Sequence, residues 1–91
     1  AKGLLTAGDS LANDYAYAAQ EYYAAERTEQ AIAAYRKAAA MSSNGEQSLN
    51  LSKVLFNEGR FAEAKAAAQE ALRKGVKNPQ DANRIIAQSG K

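Results

Sequence analysis

The residue types that usually perform chemistry are scarce in this chain. It contains neither histidine nor cysteine, which removes the usual general base, the commonest metal ligand and any disulfide or redox chemistry. Asp9 and Asp14 lie close together near a predicted turn, but no glycine-rich phosphate loop accompanies them. We interpret Glu26 and Glu29 as charges at helix ends. We therefore predict that the protein is not an enzyme and holds neither a cofactor nor a metal ion.

Charge is distributed unevenly along the 91 residues, although the formal net charge is only +2. Residues 1–46 carry a net charge of −2 and residues 47–91 carry +4, with Arg73, Lys74 and Lys77 close together. Two interpretations are open: a solvated helix end, whose dipole favours cations, or a surface for an acidic partner. Nucleic-acid binding is not expected from so small a total charge. No apolar run approaches the roughly 20 residues that span a bilayer, so membrane insertion is not expected.

A repeated helical pattern organises the chain. Gly59 supplies a left-handed turn, and an apolar stripe at helical spacing follows it. The stripe consists of Phe61, Ala64, Ala68, Ala71 and Leu72, and the same pattern occurs 33 residues earlier as Thr28, Ala31, Tyr35, Ala38 and Ala39. Strand signals are absent from the sequence. The pattern predicts an all-α fold of antiparallel helix pairs, in which small alanine side chains let neighbouring helices approach closely.

Turn signals divide the single domain into about five helices. Residues 1–12 are predicted to form the end of a preceding helix and a loop, with a turn at Gly8-Asp9-Ser10 and Leu11 as a loop anchor. Residues 13–43 form the first repeat, residues 44–77 the second, and residues 78–91 the first helix of a partial third.

Capping residues and one methionine refine this prediction. Thr28 is predicted to cap the second helix, and Ser43 or Asn44 the third. Pro79 is predicted to lie in the first turn of the fifth helix, where its missing N–H has no intrahelical partner to lose. Met41 is predicted to fill a gap in the core.

The second repeat resembles the tetratricopeptide repeat, a helix-turn-helix unit of about 34 residues. Its motif positions hold Leu51, Ser52, Leu55, Gly59, Phe61, Ala64, Ala68, Ala71 and Leu72, with Ser48 where the family usually has Trp. The first repeat matches less closely, with Glu26 in place of the turn glycine, and the half repeat places Asn83, Ile86 and Ala87 at motif positions. The resemblance implies a right-handed α-solenoid.

A narrower resemblance concerns the two linkers, Ser42-Ser43-Asn44-Gly45-Glu46 and Lys74-Gly75-Val76-Lys77-Asn78. They resemble those in C-terminal repeats of larger proteobacterial proteins of the same family. Some of those proteins are exported and accompany TonB-type envelope systems, which implies a periplasmic location. Without that resemblance, a cytoplasmic location is expected.

Stacked repeats of this family form a concave groove lined by the first helix of each repeat. By the repeat register the groove contains Asn13, Ala16, Gln20 and Tyr23, then Glu46, Leu49, Lys53, Phe56 and Asn57, and finally Asp81, Arg84 and Gln88. The predicted partner-binding residues are Gln20, Tyr23, Leu49, Lys53, Phe56, Asn57 and Arg84. Tyr23 and Phe56 are predicted to anchor a bound segment, or alternatively to pack between helices. A clamp for a C-terminal carboxylate is not expected, because Ala16 and Ile85 occupy matching positions.

Two functions remain open at this point. The first is a scaffold that binds a peptide or a helix of a partner protein in the groove. The second is a structural terminal segment of a longer solenoid, or a self-association module. About two and a half repeats fall below the usual minimum of about three, so we expect either a piece of a longer chain or self-association. The end helix is predicted to expose Ile85 and Ile86, which favours a homo-oligomer through that helix.

Overall fold

The protein is built from five α-helices in a computed structural model that describes residues 7–90. The helices are α1 (Ala7–Ala24), α2 (Thr28–Met41), α3 (Glu46–Asn57), α4 (Phe61–Lys74) and α5 (Pro79–Ser89). No strand occurs within the described range, so the predicted all-α class is confirmed.

The helices pack in the order of the chain. α1 pairs with α2 and α3 with α4, while α2 also contacts α3, and α5 contacts both α4 and α3. α2 and α4 begin 33 residues apart, at residues 28 and 61, and end 33 residues apart, at residues 41 and 74. Ala31 and Ala64, at equivalent positions in these helices, are both 0% exposed. The repeat in the sequence therefore corresponds to a repeat in the packing.

Both helix pairs turn on a residue with a positive φ. Gly59 has φ 78°, the left-handed conformation that was predicted, and Glu26 has φ 63° at the equivalent turn between α1 and α2. Equivalent backbone hydrogen bonds close the two turns. In the first turn the bond joins Arg27 N to Tyr22 O at 2.8 Å, and the equivalent bond in the second turn measures 2.9 Å. The first turn therefore keeps the geometry of the second, although a side chain in this conformation costs roughly 1–2 kcal/mol.

The beginning of α1 differs from the prediction. Residues 8–11, predicted as a turn and a loop anchor, belong to the helix. The Asp9 carboxylate accepts hydrogen bonds from the Ser43 backbone N–H at 2.8 Å and from its hydroxyl at 3.0 Å. These bonds connect the first turn of α1 to the loop before α3, and a negative charge suits a helix N-terminus. The prediction for residues 1–6 lies outside the described residues.

Small side chains dominate the core. Ala19, Ala38, Ala64, Ala68 and Ala71 are each 0% exposed, and Leu55 is the largest fully buried side chain. Two residues that were predicted to face the core lie at the surface instead: Met41 is 38% exposed and Phe61 is 46% exposed. Each is the terminal residue of its helix, where fewer neighbours surround a side chain.

The helix N-termini differ from most of the predicted caps. The N-cap of α3 is Gly45, so neither Ser43 nor Asn44 occupies that position. Asn44 Oδ1 accepts a hydrogen bond from the Glu46 N–H at 2.9 Å, and the Ser43 hydroxyl is bonded to α1. Thr28 is the first residue of α2, and no side-chain hydrogen bond caps that helix, so the cap predicted there is wrong. Pro79 lies in the first turn of α5, as predicted.

Polar contacts join the two helix pairs. Lys74 Nζ donates to Ala39 O at 2.6 Å and to Ser42 O at 3.1 Å, so its ammonium satisfies carbonyl groups at the C-terminal end of α2. Arg60, just before α4, forms an ion pair with Glu29 of α2 at 2.8 Å. These contacts hold the second pair in register against the first.

Candidate binding cleft

A cleft of about 550 Å³ opens between α3 and α5. It is lined by Lys53, Phe56, Asn57, Asp81, Arg84, Ile85 and Gln88. Four of the predicted partner-binding residues therefore lie together: Lys53, Phe56, Asn57 and Arg84. Helical spacing explains this grouping, because residues three and four positions apart share one face of a helix. We name this feature the α3–α5 cleft.

Three charged side chains form a cluster in the α3–α5 cleft. Lys53 Nζ lies 3.3 Å from Asp81 Oδ2, and Arg84 Nη2 lies 3.3 Å from Asp81 Oδ1. The side chain of Asp81 is 30% exposed, whereas that of Lys53 is 47% and that of Arg84 is 66% exposed. One carboxylate thus lies between two more exposed cations, and the cluster is positive overall.

An aromatic pair borders the cleft. The rings of Phe56 and Phe61 meet edge to face, with centroids 5.3 Å apart and an interplanar angle of 66°. Phe56 is half-buried against the core, while Phe61 lies at the surface. Because such a contact favours one ring geometry, Phe56 presents a fixed apolar surface to the cleft. The contact of Phe61 with Phe56 was not predicted from the sequence, although the place of Phe61 directly after the turn indicates a helix end.

Tyr23 and Gln20, two further predicted site residues, lie on α1 and do not line this cleft. The Tyr23 hydroxyl donates a hydrogen bond at 2.9 Å to Oε2 of Glu58, the residue directly after α3. That bond, followed by burial and the Glu58 charge, raises the pKa of Tyr23 above its ordinary value. Burial raises the pKa of Tyr35 on α2, and a hydrogen bond with Gln20 opposes this shift. Tyr23 therefore joins α1 to the residue that follows α3.

Leu49 and Ala16 are not groove residues, and their assignment to the groove is wrong. Leu49 is 4% exposed and Ala16 is 5% exposed, so both belong to the core. Leu49 is buried because α3 contacts α2, α4 and α5, and Ala16 lies in α1, which packs against α2.

The exposed apolar end predicted for α5 is also smaller than expected. Ile85 is 7% exposed, and Ile86 is half-buried against the core. Ala82 and Ile85 form the buried face, while Asn83 and Ala87, which the half repeat placed at motif positions, are exposed. The motif positions assigned to Asn83 and Ala87 are therefore wrong, because α5 packs Ala82 and Ile85 against the core instead.

A second cleft of about 280 Å³ lies between α1 and α2. It is lined by Tyr15, Ala18, Tyr22, Gln30, Ala33, Ala34 and Lys37. Ala18 and Tyr22 are half-buried, whereas Leu51 and Leu55, 33 residues later, are 5% and 0% exposed. α3 packs against helices on several sides, while α1 packs mainly against α2. We name this feature the α1–α2 cleft.

The α3–α5 cleft is lined by polar donors and an aromatic ring. Within residues 7–90, no three His, Cys, Asp or Glu side chains are grouped so that they could hold a metal ion. None of the described helices is both long and apolar enough to cross a membrane. The cleft instead offers ammonium, guanidinium and amide donors beside an aromatic ring. Groups of these types can form hydrogen bonds and apolar packing contacts.

Comparisons with protein-family models, with curated proteins and with solved structures give no match for this chain. The tetratricopeptide resemblance therefore stays an expectation from the sequence motifs.

Proposed function

We propose that the protein is a protein–protein interaction scaffold that binds a peptide or a helix of a partner in the α3–α5 cleft. We further propose that its helix pairs form a right-handed solenoid of tetratricopeptide type, an idea supported by packing that recurs after 33 residues. The cleft is the observation that carries the binding function. It combines an apolar aromatic surface with polar groups around it, which is the usual make-up of an energetic hot spot.

The lengths of the cleft walls set the size of the bound segment. α3 has 12 residues and α5 has 11. At about 1.5 Å per residue, these walls are roughly 16–18 Å long. An extended segment advances about 3.3 Å per residue, so about five residues lie along one wall. An interface of this size belongs to the weak and transient class, which buries less than about 1,200 Å².

The test is a selection of short random peptides, displayed on phage, against the purified protein. Enriched peptides are then mapped by the amide chemical shifts that they change, which we expect to concentrate on α3 and α5. Gln88→Trp is expected to block binding, because Gln88 is exposed and lines the cleft. Gln69→Trp is the matched control, since it makes the same change at an exposed position of α4 that lines neither cleft.

Two results would contradict the proposal. One is that no peptide is enriched above the background of an unrelated protein. The other is that the two tryptophan variants bind the enriched peptides equally well. Thermal melts of both variants accompany the binding assay, because a loss of binding is informative only where the fold is retained.

A second candidate function is the stacking of a further helix on the α1–α2 cleft, in a longer solenoid or in self-association. The half-buried Ala18 and Tyr22 favour it, because their equivalents in α3 are enclosed. Ala33→Glu places a charge in this cleft, and Ala66→Glu makes the same change at the equivalent exposed position of α4. Self-association in sedimentation experiments that only Ala33→Glu weakens would support stacking. A monomer at all concentrations would argue against self-association.

A further inference from the structure

The charge cluster in the α3–α5 cleft indicates what kind of segment it binds. We propose that the cleft recognises a partner segment in which an acidic side chain lies near an apolar one. This inference rests on the proposed function of the cleft. Lys53 and Arg84 are the predicted contacts of the acidic side chain, and Phe56 and Ile85 those of the apolar one.

The two cations are able to bind a further carboxylate. An ammonium has three N–H donors and a guanidinium five, and Lys53 and Arg84 both contact the same carboxylate of Asp81. The cations are also the more exposed members of the cluster: the side chain of Lys53 is 47% and that of Arg84 66% exposed, against 30% for Asp81. An approaching carboxylate therefore meets N–H donors first, whereas an approaching ammonium meets like charge.

The carboxylates at the two ends of α3 are engaged elsewhere. Glu58 accepts the hydrogen bond from Tyr23, and Glu46 accepts one from the Lys77 backbone N–H at 2.8 Å. Neither forms an ion pair with Lys53 or Arg84 among the described contacts. The positive character of the cluster is therefore retained along the cleft.

The apolar surface of the cleft lies beside these charges. Ile85 is 7% exposed and forms part of the lining, and Phe56 is held by its contact with Phe61. Alternate side chains of an extended segment point to the same side, and those of a helix do so three or four positions apart. An acidic and an apolar residue at these spacings reach the cations and the ring together.

The test repeats the peptide selection on three forms of the protein: wild type, Lys53→Gln/Arg84→Gln, and Arg73→Gln. The peptides are fused to the phage through their C-termini, so that no free terminal carboxylate is present. The double variant removes two exposed charges from the cleft. Arg73→Gln is the control, because it removes a charge that is 70% exposed, close to the 66% of Arg84, from a part of α4 that lines neither cleft.

We expect Asp and Glu to be enriched in peptides selected on the wild type and on the control, and not on the double variant. Replacing the acidic residue of a selected synthetic peptide by its amide is expected to weaken wild-type binding roughly 2–5-fold, because exposed ion pairs contribute modestly. The same replacement is expected to leave binding to the double variant unchanged. High salt should remove the difference in the wild type.

The outcomes separate this inference from the proposed function. Peptides that bind in the cleft without any acidic preference would overturn the inference and leave the scaffold proposal standing. If no form of the protein enriches any peptide, the scaffold proposal fails, and the inference fails with it.

Discussion

The substitution Gly45→Ala tests how closely the loop before α3 approaches α4. A Cβ atom on Gly45 would lie 2.1 Å from the carbonyl oxygen of Ala71 and 2.8 Å from its carbonyl carbon. Both are backbone atoms, so no side-chain rotation relieves the contact. Gly45 N–H also donates to Gly75 O at 2.8 Å. A shift that makes room for the methyl group therefore disturbs this hydrogen bond as well.

The expected loss of stability follows from these distances. Overpacking costs about 1–3 kcal/mol, and a contact between backbone atoms belongs at the upper end, about 3 kcal/mol. In a domain of this size, each kcal/mol lowers Tm by about 4–8 °C. Gly45→Ala is therefore expected to lower Tm by roughly 12–24 °C.

Thermal melts followed by circular dichroism measure this loss, with Gly59→Ala as the matched control. The position of a Cβ on Gly59 is open, so alanine there meets the strain of φ 78° without a clash. That strain costs about 1–2 kcal/mol, which lowers Tm by about 4–16 °C. Glu26, at the equivalent turn, shows that a side chain is accommodated in this conformation. Equal melting temperatures for the two variants would refute the close approach of Gly45 to Ala71.

Three further substitutions test individual contacts. Ser48→Ala is expected to raise the free energy of unfolding by about 1 kcal/mol, because the buried Ser48 hydroxyl has no hydrogen-bond partner among the described residues; a loss in urea unfolding would contradict this. Lys74→Met is expected to lower the free energy of unfolding by about 1–2 kcal/mol, since two carbonyls at the end of α2 lose their donor. Wild-type stability of this variant in urea unfolding would exclude the capping role. Tyr23→Phe is expected to be less stable than wild type below pH 10.0, the ordinary pKa of this hydroxyl. Because the pKa of Tyr23 is raised in the folded state, the stability advantage of the wild type is lost as the pH rises through that raised pKa. Unfolding curves of the two proteins that stay equally far apart at alkaline pH would argue against the bond to Glu58.

Local patterns were sufficient to predict α2, α4 and the turn at Gly59. Helical spacing and the preference of glycine for a positive φ act within a few residues, so the sequence contains the necessary information. The beginning of α1 shows the limit of this reasoning. Gly, Asp and Ser favour turns, yet Asp9 lies in a helix and is hydrogen-bonded to Ser43, 34 residues away. That partner is known only from the tertiary structure.

The same distinction explains which site residues were predicted. Lys53, Phe56 and Asn57 share one stripe of α3, and a stripe follows from spacing alone. The assignment of Leu49 to the groove was wrong because the burial of this residue depends on how many helices surround α3. The exposure expected for Ile85 was wrong because its burial depends on how closely α5 packs against α3 and α4, which the linker between Lys74 and Pro79 does not reveal.

The acidic preference proposed for the α3–α5 cleft is a property of the assembled structure. Read from the sequence, Lys53, Asp81 and Arg84 are three charged residues on two helices, and they predict no particular ligand. In the folded protein Asp81 lies 3.3 Å from both cations, so the three side chains form one cluster that is positive overall. If α5 were shifted by one turn along α3, Asp81 would move by about 5.4 Å, and the carboxylate would no longer lie between the two cations. The charge presented to a partner is therefore set by the axial position of α5, so a substitution that moves α5 is expected to alter the preference for acidic peptides even where every cleft residue is retained.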